Sequence, residues 1–130
     1  SLDLCCDNPT CTHNKFECKS KCLSVSNLPS DIHLPHGSYK DFVYQLNDGL
    51  NLIVVIYGVD RINKTINIRE VRYADNRDLH DANIIEIKKR ANSNLSSICI
   101  KNKDKLMKIN HGSKNLCLKF TDSNLIEQTC

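Results

Sequence analysis

The side chains in this chain whose type and spacing could do chemistry are first of all its thiols. Five of the eight cysteines fall in the first 22 residues (Cys5, Cys6, Cys11, Cys18 and Cys22), and the other three are Cys99, Cys117 and Cys130. At this density thiols form disulfides in an oxidising compartment, so a secreted protein is expected. Eight suits four bridges, each worth roughly 2–4 kcal/mol through its constraint on the unfolded chain. Five and three are both odd, so in a fully oxidised monomer at least one bridge must join the N-terminal cluster to the C-terminal third. The expectation is a clamp holding the two ends of the chain. Zinc is the rival chemistry, because Cys18, Cys22, His33 and His36 give C-x3-C-x10-H-x2-H. The histidine spacing is shorter than a two-Cys, two-His finger uses. Pro29 and Pro35 also fall where its ligand-bearing helix would run. No metal is assigned.

With every cysteine bridged there is no thiol nucleophile, and neither a Gly-x-Ser-x-Gly elbow nor a phosphate loop occurs. No cofactor motif is present. The five histidines raise acid–base chemistry, since metal-free RNA cleavage needs a general base, a general acid and a cation for the phosphate. Leu34-Pro35-His36-Gly37-Ser38-Tyr39 and Gly58-Val59-Asp60-Arg61 resemble two short motifs of the small secreted fungal ribonucleases. That resemblance implies His36, Arg61 and a second histidine, His80, as candidate catalytic residues. It spans ten residues, has no counterpart of the family's catalytic glutamate, and is followed by fifty residues beyond His80, so the chain is not assigned to the family. The cysteine spacing over Lys114 to Cys130 resembles the last repeat of plant-toxin trefoil lectins and implies a carbohydrate-binding module as a further alternative. The Gln-x-Trp of those repeats is missing, and the chain has no tryptophan.

Charge is the strongest functional signal. The overall charge is only +3, but from Lys88 to Lys119 nine basic residues face one acid, Asp104, for a net +8. The remainder holds nine basic and fourteen acidic residues, a net −5. The nine are Lys88, Lys89, Arg90, Lys101, Lys103, Lys105, Lys108, Lys114 and Lys119. If the chain is extended there, Lys101, Lys103 and Lys105 project to one side. Such a face attracts an acidic protein surface or an anionic polymer, a glycosaminoglycan or RNA, by salt-screened attraction. Lysines also solvate strand faces and discourage edge pairing. The expected function is therefore a secreted interaction protein (effector, inhibitor or toxin-like ligand) meeting an extracellular or host partner through this basic C-terminal face.

The elements that must position these residues read as mostly β. At 130 residues the chain is expected to be one domain, a Cys-rich segment and connection over 1–37 and a β-rich core over 38–130. Residues 1–22 read as irregular and 24–37 as a long connection. Tyr39 to Leu46 reads as a strand followed by an Asp48-Gly49 hairpin turn. Leu50 to Tyr57 is the most apolar run, a central strand. Lys64 to Tyr73 alternates with a phase slip that places a bulge near Arg69–Glu70. Residues 83–95 fit a short strand or a capped helix, with a lean towards strand. Strands follow at Ser97 to Lys101, Lys105 to Ile109, Lys114 to Phe120 and Leu125 to Cys130. About seven short strands predict a small antiparallel sandwich or barrel with the cysteine-rich segment stapled across it. Sequons at Asn63 and Asn94 are candidate glycosylation sites, whereas Pro9 spoils the one at Asn8. The opening on Ser1 without a charged-then-apolar leader fits a mature chain.

Overall fold

The computed structural model describes residues 4–5, 15–109, 117–122 and 125–127. The fold is mostly β, with two sheets, neither closed into a barrel, and two helices. In order the elements are β1 Leu4–Cys5, β2 Lys15–Cys22, β3 Ile32–Ser38, α1 Tyr39–Asn47, β4 Asn51–Asp60, β5 Thr65–Ala74 and α2 Asn76–Leu79. Then come β6 Ile85–Lys89, β7 Leu95–Ile100, a 3-10 turn Lys103–Lys105, β8 Met107–Lys108, β9 Cys117–Phe120 and β10 Leu125–Glu127. The larger sheet runs β1-β2-β4-β5-β9-β10, with β8 also pairing β5, and the smaller runs β3-β7-β6. No helix among the described residues is long and apolar enough to cross a membrane.

The apolar run after Gly49 forms the expected central strand. Leu52, Val54 and Ile56 alternate along β4 and are essentially fully buried. They meet Ile32 and Leu34 of β3, Ile98 and Ile100 of β7, and Ile85 of β6, so the two sheets enclose one core. The opposite face of β4, with Ile53, Val55 and Tyr57, is half-buried. Residues 85–89 settle as a strand, β6, antiparallel to β7.

Several expectations are corrected. Residues 15–22 are not irregular: they form β2, which pairs with β4 in parallel from Phe16↔Asn51 to Cys22↔Tyr57. The larger sheet is therefore mixed, not purely antiparallel, and β3 with α1 supplies the crossover that a parallel pair requires. The connection over 24–37 contains β3. Tyr39–Asn47 is a helix, not a strand. Both readings bury Phe42 and Leu46, but a strand would bury Tyr44 as well, and Tyr44 is 72% exposed. Ser38 caps the helix by accepting the Asp41 N–H at 3.3 Å. Asp48-Gly49 ends that helix instead of turning a hairpin, with Gly49 at φ +89° where a Cβ would be strained. Finally, Lys105 to Ile109 is only the end of a 3-10 turn and the two-residue β8.

The bulge falls where the phase slip placed it. Ile56 pairs with Glu70 and Tyr57 with Ile68, which leaves Arg69 as the extra residue. The bulge turns its guanidinium onto the chain leaving β2, where it donates to the carbonyls of Leu23 (2.9 Å), Val25 and Ser26 (3.1 Å). At the other end of β4, buried Asn51 donates to the Lys15 carbonyl at 3.0 Å and accepts the Asn76 N–H at 3.0 Å. Asn76 in turn donates to the carbonyls of Leu46 and Leu50. This amide pair ties β2, α1, β4 and α2 together.

Candidate cationic face and the buried charge clusters

Three members of the basic run lie around the outer face of the small sheet, and a fourth, Lys89, stands at its end. Across it His33 pairs with Cys99 and Cys99 with Glu86, while Pro35 pairs with Ser97 and Ser97 with Lys88. Their neighbours Ile98, Ile100 and Ile85 point into the core, so these side chains face outward. Lys88 and Lys101 each reach within 4 Å of Glu86 only loosely, at 3.8 and 3.9 Å. Arg90 donates to the Ser97 hydroxyl at 3.2 Å. Three cations thus flank a floor of small side chains, Ser97 and Cys99, against one central carboxylate. Lys89 is exposed at the strand end in the opposite phase.

The other lysines of the run do not join this face. Lys105 is exposed on the 3-10 turn, Lys108 lies on β8 and Lys119 on β9, both in the larger sheet. Lys114 lies outside the described residues. Lys103 is withdrawn from the surface altogether, at 5% exposure. The expected projection of Lys101, Lys103 and Lys105 to one side fails because a 3-10 turn breaks the strand alternation. The Lys103 ammonium donates to Glu70 at 2.9 Å and to Asp104 at 3.0 Å. Arg72 binds the same Glu70 carboxylate, Asp104 at 3.3 Å and the Leu106 carbonyl at 3.1 Å. Two cations and two carboxylates balance, and the network joins β5 to the turn after β7. Burial pushes the Glu70 carboxyl up, but hydrogen bonds and charge from Lys103 and Arg72 prevail and hold it below its ordinary 4.5. The hydrogen bond and charge of Lys103 likewise hold Asp104 below the usual range.

The candidate acid–base residues are dispersed. His80 lies beside the Leu46 carbonyl, 3.3 Å away, next to the start of β4. Arg61 follows the far end of β4, and ten residues of strand at ~3.3 Å each separate the two by about 30 Å. His36 sits at neither place. Its ring packs edge-on against Phe42 with centroids 4.1 Å apart, and Nδ1 lies 3.7 Å from Glu17. Lys19 approaches the same carboxylate oxygen at 3.6 Å. Glu17 and His36 are each about nine-tenths buried, so this acid–imidazole–ammonium cluster bridges β2 and β3 at the seam between the sheets. Sequence reasoning missed Glu17, because it lies in the segment read as irregular. The Phe16–Lys21 alternation signals a strand but not the burial of Glu17, because it assigns the polar phase to solvent.

The metal reading also finds no centre. Cys18 and Cys22 share register with Ile53 and Tyr57 on the outer face of the larger sheet. His33 faces out from the small sheet and His36 faces the seam, so the four do not converge. Among the described residues no group of three metal-ligating side chains comes together. Cys22 and Cys99 carry free thiols in this structure, the first exposed and the second buried. Cys117 is disulfide-bonded. Withdrawing one cysteine from each cluster makes both counts even, so the parity reason for an end-to-end bridge applies only to the fully oxidised chain. Cys6, Cys11 and Cys130 lie outside the described residues, and Cys5 is placed only as backbone. Of the sequons, Asn63 is exposed in the β4–β5 turn and donates to Asp60 at 2.8 Å, while exposed Asn94 donates to the Ser38 cap at 3.1 Å. Compared with known proteins, the chain matches no family model, no curated protein and no solved structure.

Proposed function

We propose that this chain is a secreted, disulfide-stabilised interaction protein that binds an acidic protein surface or an anionic polymer through the outer face of its small sheet. The observation that carries the reading is the convergence of Lys88, Arg90 and Lys101 on one sheet face around Ser97, over the buried Cys99. A flat floor admits a chain or loop of the partner, and loosely held ammonium groups can exchange Glu86 for the partner's anions at little cost. Such binding weakens with salt, because exposed charges are screened over about 10 Å at 0.1 M. Glycans at Asn63 and Asn94 and a bridge between the cysteine-rich segment and the C-terminal third belong to the same proposal. The disulfide at Cys117 supports an oxidising setting. The test is retention on immobilised heparin as an anionic surrogate. Replacing Lys88, Arg90 and Lys101 together by Glu is expected to abolish retention, while replacing Lys105 and Lys119 changes it little. Equal losses from both sets would reduce the face to diffuse charge and overturn the proposal.

A further inference from the structure

A cleft of about 560 Å³ opens on the other sheet, away from the cationic face, and its construction points to a ligand. Beyond Ile56 the β4–β5 hairpin extends past the small sheet, so its inner face there needs other cover. Residues 23–30 supply it as a strap fixed at both ends. At the start, the Leu23 N–H donates to the Tyr57 carbonyl at 2.8 Å, Ser24 Oγ accepts the Val59 N–H at 2.9 Å, and Arg69 holds three strap carbonyls. At the end, the Ser30 carbonyl accepts the Lys103 N–H at 2.7 Å. Between these anchors the strap stands off the sheet and leaves the cleft, lined by Val25 and Leu28 of the strap, Gly58 and Val59 of β4, Asn67 of β5 and Lys108 of β8.

The polar groups on its wall divide sharply. Asp60 is occupied by the N–H groups of Ile62 and Asn63, Glu70 by Lys103 and Arg72, and Arg69 by the strap carbonyls. The Asn67 amide and the Lys108 ammonium have no hydrogen-bond or ion-pair partner among the described residues. Lys108 enters from the β8 pairing beside Arg72, and Asn67 lies beside Gly58, so the two mark opposite ends of the cleft with the apolar residues between them. Arg69 carries its charge without a carboxylate partner and Asp60 without a cation, so these two wall charges offset each other and Lys108 is the one left unbalanced.

We infer that this cleft is a binding site for a small organic anion with an apolar body, its carboxylate held by Lys108. The volume lies within the range of small-molecule sites, and the wall sets a few apolar side chains among polar ones, of which Asn67 and Lys108 are unpartnered among the described residues. Apolar surface from Val25, Leu28 and Val59 supplies affinity, and the single free ammonium sets the sign of the headgroup. Gly58 contributes to the room available: a Cβ there would stand 3.5 Å from Arg69 Cδ and 3.6 Å from the Leu23 carbonyl, so alanine fits but lies against the strap.

The experiment uses the full chain with octanoate as the probe, octylammonium as its opposite-charge counterpart, and amide chemical shifts as the readout. Saturable shifts concentrated at Val25, Gly58, Asn67 and Lys108 are expected with octanoate and not with octylammonium. Lys108→Glu is expected to weaken octanoate about tenfold, a change of about 1.4 kcal/mol, while Lys105→Glu on the neighbouring turn leaves it unchanged. Both lysines are exposed, so neither replacement threatens the fold. Absence of saturable shifts in the cleft, equal binding of the two probes, or equal loss from the two replacements would each overturn the inference.

Discussion

At the scale of single residues, burial separates side chains that composition treats alike. Lys101 and Lys103 are two positions apart, yet one is exposed and the other is enclosed by Glu70 and Asp104. The folded state holds Glu70 and Asp104 below their ordinary values and so binds fewer protons than the unfolded chain. Their contribution is therefore present above the ordinary carboxylate range and is lost as pH falls through the depressed values. Urea midpoints are expected to fall between about pH 6 and about pH 3. Glu70→Gln should flatten that fall while costing about 3 kcal/mol at neutral pH, because Lys103 and Arg72 keep their charge in a buried setting. An unchanged acid slope in the variant would detach the network from acid stability. The thiols divide in the same manner. Iodoacetamide is expected to label exposed Cys22 in the native protein and Cys99 only after unfolding.

At the scale of elements, a few polar side chains decide between structures that the apolar pattern leaves open. Phe42 and Leu46 suit a strand or a helix, and the Ser38 cap with its Asn94 partner favours the helix. Ser38→Ala is expected to cost about 1 kcal/mol in chemical unfolding, and Ser38→Asp, which restores an acceptor, to recover most of it. A larger effect is expected at Asn51. Asn51→Ala removes bonds to the Lys15 carbonyl and the Asn76 N–H in a fully buried place, at about 2–3 kcal/mol, and should increase amide exchange first in β2 and α2. Loss confined to β4 would contradict the tie. The bulge at Arg69 was legible because a phase slip in side-chain alternation is local information. The parallel pairing of β2 was not, because its partner β4 lies some thirty residues away and the cysteines of 1–22 carry no pairing signal.

At the scale of the whole molecule, the N-terminal strand and the C-terminal strand stand at opposite edges of the larger sheet. β1 and β10 are five strand steps apart, about 24 Å at ~4.8 Å per step. Cys22 on β2 and Cys117 on β9 lie three steps apart and on opposite faces, beyond the Cα separation a disulfide spans. Any end-to-end bridge must therefore use cysteines other than Cys22 and Cys99. With those two as thiols at most three bridges can form, so intact mass is expected to show a loss of no more than six hydrogens relative to the reduced chain. A loss of eight would restore the fully oxidised chain and with it the parity argument.

By itself, the sequence determined the β-rich character, the central strand after Gly49, the bulge at Arg69 and the uneven spread of charge. Each is written in neighbouring residues, through alternation, turn chemistry or counting. Only the tertiary structure decided which lysines share a surface, which cysteines can meet, and that Glu17 joins His36 and Lys19 at the seam. Those outcomes depend on pairing between strands remote in the chain, and one step of register or one 3-10 turn carries a side chain from solvent into the interior.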